Sequence, residues 1–173
     1  MVGFIIKKKI QAALKNNDRT RIFRKLDDMK KILILFTVED WNEILQISRD
    51  LKENGKEVVL WTVQSKKDEN SHAFPPEVKA IAQKDISKWR GLSSSLIDGF
   101  KELSYDTLLD LTTKNDRSLL YLLAANSAGF CIGVREQDFK VYDLIIFKKE
   151  SSDLLETYNQ IKFYLNNIRW GAN

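Results

Sequence analysis

The chain reads as a doubly wound α/β domain with a mostly parallel sheet of about six strands. Three observations predict this. Residues 32–36 (Ile-Leu-Ile-Leu-Phe) and 107–111 (Thr-Leu-Leu-Asp-Leu) are almost continuously apolar, the pattern of strands buried on both faces. Segments with helical spacing of apolar residues lie between such runs. Strands and helices then alternate along the chain, as crossover connections between parallel strands require.

Taken in order, residues 4–15 predict a helix, with Ile6, Ile10, Ala13 and Leu14 at helical spacing and lysines between. Asn16-Asn17-Asp18 breaks it, and residues 19–29 predict a second helix with Ile22, Leu26 and Met29 on one side. Residues 1–29 are thus expected to form a basic helical segment, and residues 30–173 the α/β domain. Residues 32–36 make the first strand. The helix that follows, residues 40–52, buries Trp41, Ile44, Leu45, Ile47 and Leu51. Asp40 stands at its N-cap, and Glu43, three residues on, completes a capping box. Gly55 supplies the left-handed residue that ends it. Residues 57–63 are the second strand, reached by a right-handed crossover.

Residues 64–76 are polar, end in Pro75-Pro76 and predict a loop. Residues 78–82 predict a third strand. Ser93, Ser94 and Ser95 offer caps for a helix carrying Leu96, Ile97, Phe100 and Leu103. Residues 107–111 form the fourth strand and 119–125 a helix. Residues 130–134 and 144–147 form the fifth and sixth strands. Ser152 or Asp153 caps a last helix carrying Leu154, Leu155, Tyr158, Ile161, Leu165 and Ile168. The first strand should be central, between the second and the fourth.

Composition excludes several functions. The chain has 173 residues, enough for one domain with a substantial core. A charged fraction of 30% and a mean hydropathy of -0.34 argue against a membrane protein. No run approaches the roughly 18 apolar residues of a spanning helix. One cysteine excludes an internal disulfide, and with a single histidine a zinc site is not expected. No secretory signal is read, because the short apolar run Phe4-Ile5-Ile6 precedes the lysines instead of following them. Together with unpaired Cys131, this predicts a cytoplasmic location.

Charge is uneven. Residues 1–31 carry ten Lys or Arg and three Asp, a balance of +7; the other 18 basic and 21 acidic residues leave -3. The basic segment is expected to be a solvated helix face. Lys7, Lys8 and Lys9 offer a weak contact with an anionic surface.

The turn after the first strand, Thr37-Val38-Glu39-Asp40-Trp41, holds two carboxylates and no glycine. A dinucleotide fold needs glycines there so that backbone N–H groups can approach the pyrophosphate. The Walker pattern is also missing, so no cofactor is predicted. Asp110 ends the fourth strand, where doubly wound sheets place ligands. Thr112, Thr113 and Asn115 lie just beyond and offer hydrogen bonds. Lys84, Asp85, Lys88, Trp89 and Arg90 form the densest polar and aromatic cluster, suited to stacking a base or sugar ring. The ligand-binding candidates are therefore Asp40, Lys84, Asp85, Trp89, Asp110, Thr112 and Asn115. No catalytic or metal-ligating residue is predicted. His72 reads as a surface residue and Cys131 as buried and inert.

Two resemblances add to this reading. The stretch Tyr105-Asp106-Thr107-Leu108-Leu109-Asp110-Leu111-Thr112, followed by a helix and by Ala128-Gly129-Phe130-Cys131-Ile132-Gly133-Val134, resembles an uncharacterised family of small proteins from Bacteroidetes, classed as a domain of unknown function. So do Lys84-Asp85-Ile86-Ser87-Lys88-Trp89 and Tyr142-Asp143-Leu144-Ile145-Ile146. That likeness covers nearly the whole chain and implies a Rossmann-like fold without a mechanism. The middle of the chain also resembles the N-terminal half of the heptosyltransferases, inverting glycosyltransferases in which an aspartate after the first strand is the base. The matching residue is Asp40. Glu39 replaces the glycine that precedes the aspartate in those enzymes, and their nucleotide-sugar domain has no counterpart in these residues.

Two functions from different classes follow. One is a non-enzymatic binding or interaction module, with a protein or a small molecule as partner. The other is a reduced glycosyltransferase-like domain that keeps a sugar or nucleotide pocket at the carboxyl ends of the strands. A cleft with Asp40 and Asp110 converging on it would favour the second, and a cleft filled by Trp41, Trp89 or loop residues the first.

Overall fold

The computed structural model describes residues 2–71, 73–87 and 91–168. Six strands form one sheet: β1 (Lys31–Phe36), β2 (Glu57–Val63), β3 (Val78–Ile81), β6 (Thr107–Asp110), β7 (Phe130–Gly133) and β8 (Leu144–Ile145). Their order is β3-β2-β1-β6-β7-β8, and every neighbouring pair is parallel. This is the Rossmann-like order, with β1 central between β2 and β6 as predicted. Two further short strands, β4 (Ile86–Ser87) and β5 (Gly91–Leu92), pair antiparallel as a separate hairpin that the sequence pattern did not reveal.

Alternation along β1 explains the double winding. Ile32, Ile34 and Phe36 face one core and Leu33 and Leu35 the other, all with no exposed surface. The first core is closed by α2 (Trp41–Glu53) through Ile44, Ile47 and Leu51, and by α6 (Leu154–Asn167) through Leu154, Tyr158, Ile161 and Leu165. The second is closed by α4 (Ser94–Lys101) through Leu96 and Phe100, and by α5 (Arg117–Ala124) through Leu119, Leu122 and Leu123. A strand with large apolar side chains on both faces is stable only if both faces are covered.

Helix ends follow local chemistry. Gly55 has φ +77°. Its N–H bonds to Lys52 O and the Lys56 N–H to Leu51 O, the double bond of a Schellman motif. Asp116 caps α5 by accepting from the N–H groups of Ser118 and Leu119. Asp153 rather than Ser152 caps α6.

Four expectations are corrected. Asp40 precedes α2 but makes no side-chain cap bond, so the predicted capping box with Glu43 does not form. Ser93 at the start of α4 makes none either. The predicted loop over 64–76 contains a short helix, α3 (Lys66–Ser71), because Ser65 and Asp68 bond reciprocally across its first turn. The second N-terminal helix is missing apart from one 3-10 turn, Leu26–Asp28. Long-range bonds capture its backbone and side chains instead. The Ile22 N–H donates to Gly129 O at 2.7 Å, and the Arg19 guanidinium forks onto Asp143 at 2.8 and 3.0 Å.

The first helix is present as α1 (Val2–Lys15) and packs on α5. Gly3 lies beside Arg117 at the start of α5. Asn17 donates to Ala124 O and Asn126 O at its end, at 2.9 and 2.8 Å. The two helices therefore run side by side in the same direction. Ile10 is buried, Ile6 and Leu14 are half-buried, Phe4 is exposed, and so are Lys7, Lys8 and Lys9. No helix among the described residues is long and apolar enough to cross a membrane.

Candidate functional site

In a sheet of this order, ligands bind where strand order reverses, outside the carboxyl ends of the central pair. Here that pair is β1 and β6. The loop after β1 presents Thr37, Glu39 and Asp40; the loop after β6 presents Thr112, Thr113 and Lys114. The two are laced together. The N–H groups of Thr113 and Lys114 donate to Thr37 Oγ1 at 3.0 and 3.3 Å. The Thr113 hydroxyl donates to Asp40 Oδ2. Lys114 Nζ pairs with Glu39, which lowers the Glu39 carboxyl and raises the Lys114 amine from their ordinary values. Trp41 turns to the first core, against Phe36 and Phe74 at ring separations of 5.7 and 5.0 Å.

Asp110 leads a second network beside this one. Its side chain is buried. Oδ1 accepts from the Thr112 N–H and hydroxyl at 3.1 and 2.6 Å. Oδ2 accepts from the Tyr142 hydroxyl, which in turn accepts from Gln137. Burial pushes the Asp110 carboxyl above the usual carboxylate range, against the hydrogen bonds from Thr112 and Tyr142. Burial also raises the Tyr142 phenol, with the neighbouring Asp110 charge adding to it. The Arg135 guanidinium extends the chain, donating to Thr112 Oγ1 at 3.0 Å and Asn115 Oδ1 at 2.6 Å. Gly133 makes room for this arrangement, since a Cβ there would stand 2.5 Å from the Tyr142 ring.

Four of the predicted site residues thus gather at the carboxyl ends. Asp40 belongs to the lacing, and Asp110, Thr112 and Asn115 to the second network. Asp40 Oδ2 and both oxygens of Asp110 accept from the protein's own donors. Lys84 and Asp85 lie on the 3-10 turn Gln83–Asp85 after β3, and the Asp85 carbonyl accepts from the Ser93 N–H. Trp89, with Lys88 and Arg90, lies outside the described residues, as does His72. Cys131 is buried in β7, and burial raises its thiol, which leaves it unreactive. Sequence reasoning missed Thr37, Arg135 and Tyr142. Each meets its partner across 20 or more residues of chain, a distance over which no local pattern signals contact.

A cavity of about 1050 Å³ lies on the outer side of α5. Its lining runs from Asn115 and Arg117 at the start of that helix to Asn126 and Ser127 just past its end. α1 forms one wall through Ile6, Lys9 and Ala13, and the β4–β5 hairpin with α4 the other, through Ile86, Leu92 and Ile97. Asn115 both lines this cavity and accepts from Arg135 in the network at the strand ends. Among the described residues no group of three or more His, Cys, Asp or Glu side chains is disposed to hold a metal.

Residues 3–168 match a family of unknown function (DUF6913), and the chain belongs to that family. No curated protein and no solved structure is a significant match.

Proposed function

We propose that the protein is a non-enzymatic binding module whose ligand occupies the cavity between α1, α5 and the β4–β5 hairpin. One observation carries this reading. The crevice that doubly wound enzymes use is laced by Thr37, Asp40, Thr113 and Lys114, while a cavity of about 1050 Å³ stands on the outer side of α5. Small-molecule pockets typically measure about 300–1,000 Å³, so this one is large enough for a ligand of ordinary size. The single, buried Cys131 supports a cytoplasmic setting.

A glycosyltransferase-like reading needs Asp40 as a base facing an acceptor sugar. Its carboxylate instead accepts the Thr113 hydroxyl, and a nucleotide sugar would have to part the two loops to reach it. A thermal-shift screen with nucleotides, nucleotide sugars and lipid phosphates tests the choice. Binding should survive Asp40→Asn and be lost in Ala13→Trp, which fills the cavity. A nucleotide-sugar response that disappears in Asp40→Asn would establish the enzyme reading instead.

A further inference from the structure

We propose that the outward face of α1 docks on an anionic membrane surface while α1 stays packed on the body of the protein. This is independent of what the cavity holds. α1 has three sides. One packs on α5, burying Ile10 and setting Gly3 beside Arg117. A second walls the cavity through Ile6, Lys9, Ala12 and Ala13. The third carries Phe4, Lys7, Lys8, Gln11 and Lys15, at the three- and four-residue steps that place side chains on one stripe of a helix. All five are exposed, and none lines the cavity.

The chemistry of the stripe selects the partner. Residues 1–17 contain no Asp or Glu. Among the described residues no acid forms an ion pair with Lys7, Lys8 or Lys15. Lys9 belongs to the cavity side and takes no part. The three lysines span about 12 Å along the helix, so a flat layer of negative charge meets them together. Phe4 decides between kinds of layer. Its ring is 60% exposed at the start of the stripe, with Lys8 Nζ 4.5 Å from its centroid. A membrane accepts both kinds of group, the lysines among anionic headgroups and the ring at the boundary with the acyl chains. The phosphates of a nucleic-acid duplex would meet the lysines and leave the ring in water. Beyond residue 31 the chain carries -3, so an anionic surface repels the body and attracts the N-terminal segment, which sets the orientation of docking.

Co-sedimentation of the full chain with vesicles of phosphatidylcholine, alone or mixed with phosphatidylglycerol, tests this. Binding should require phosphatidylglycerol and weaken as salt rises. Each lysine at such a surface is worth roughly fivefold in partitioning. Lys7→Gln, Lys8→Gln and Lys15→Gln combined should therefore cost on the order of a hundredfold, while arginine at the same three positions should keep the binding. Phe4→Ser should weaken it at least about tenfold and leave its salt dependence unchanged. Ala13→Trp, a change inside the cavity, should bind as the unsubstituted chain does. Equal binding to the two kinds of vesicle, or undiminished binding by the triple glutamine variant, would overturn the proposal. Loss of binding in a folded Ala13→Trp variant with the triple variant unaffected would put the lipid in the cavity and overturn it too. Amide hydrogen exchange on the vesicle-bound protein separates docking from release. Exchange across α5 should match that of the free protein; faster exchange there would show α1 leaving with its apolar side in the lipid and would refute the assignment of the face. Binding of a DNA duplex that the triple variant loses, with no binding to vesicles, would assign the stripe to nucleic acid and end the proposal.

Discussion

Asp110 is a carboxyl group that burial in the folded chain makes harder to ionise. Burial raises its pKa above the unfolded value, so between the two values the folded state binds more protons than the unfolded one. Stability must then fall as pH rises through that interval, the reverse of a salt-bridged aspartate. Asp110→Asn keeps an oxygen for Thr112 and cannot ionise. Denaturant unfolding from about pH 4 to pH 8 should show wild-type stability declining relative to the variant as pH rises; a difference that is flat or of opposite sign would refute the assignment. Gly133 permits a sharper test. Gly133→Ala drives a methyl into the Tyr142 ring and should cost about 1–3 kcal/mol. In a Tyr142→Ala background the same change should cost much less, because the clashing ring is gone and the two effects are coupled. Of this site, Asp110, Thr112 and Asn115 were legible from their place after an apolar strand. Tyr142 was not, since it reaches Asp110 over 32 residues of chain and no local pattern encodes such a meeting.

Elements were read well wherever hydrophobic pattern alone decides them. The run over 32–36 could only be a central strand, and Asn54-Gly55 could only end α2. Gly55 at φ +77° has nothing within 4 Å of a hypothetical Cβ, so Gly55→Ala isolates the backbone cost. It should lose about 1–2 kcal/mol in urea unfolding, and no loss at all would mean that the helix end relaxes out of the left-handed region. The failures have physical causes too. Residues 19–29 carry a helical apolar spacing, yet Asn17, Arg19 and Ile22 each find partners near residues 124–143. Those bonds outweigh a weak local propensity. The loop over 64–76 was misread for the opposite reason. A reciprocal pair, Ser65 and Asp68, holds the first turn of α3 in a segment with no apolar periodicity to signal a helix.

At the scale of the molecule, the N-terminal segment is two devices in one length of chain. α1 is a wall, and the stretch after it is a strap. Four large apolar residues of α1 would contribute roughly 6–12 kcal/mol if all were buried. Only Ile10 is, with Phe4 60% exposed and Ile6 and Leu14 between. The docking of α1 is correspondingly weak, worth about 1.5–3 kcal/mol for that one buried side chain. Arg19 is different. Its side chain is 6% exposed and that of Asp143 2%. Besides the forked pair, Arg19 donates to Ala128 O and Val141 O at 3.1 and 2.7 Å. Asp143 also accepts from the Cys131 N–H inside the sheet. Removing Arg19 leaves Asp143 only the Cys131 N–H and Arg21, at 3.4 Å, and should cost toward the lower end of the roughly 3–5 kcal/mol that breaking a buried pair costs. Deleting residues 1–15 should therefore leave a folded sheet and a modest loss in urea unfolding, together with loss of ligand binding in the cavity that α1 helps to wall. Arg19→Met should do the reverse, lowering stability more than the deletion does while leaving α1 and its cavity in place in the folded fraction. If the deletion proves the more destabilising of the two, the body of the protein is built around α1 rather than braced by Arg19.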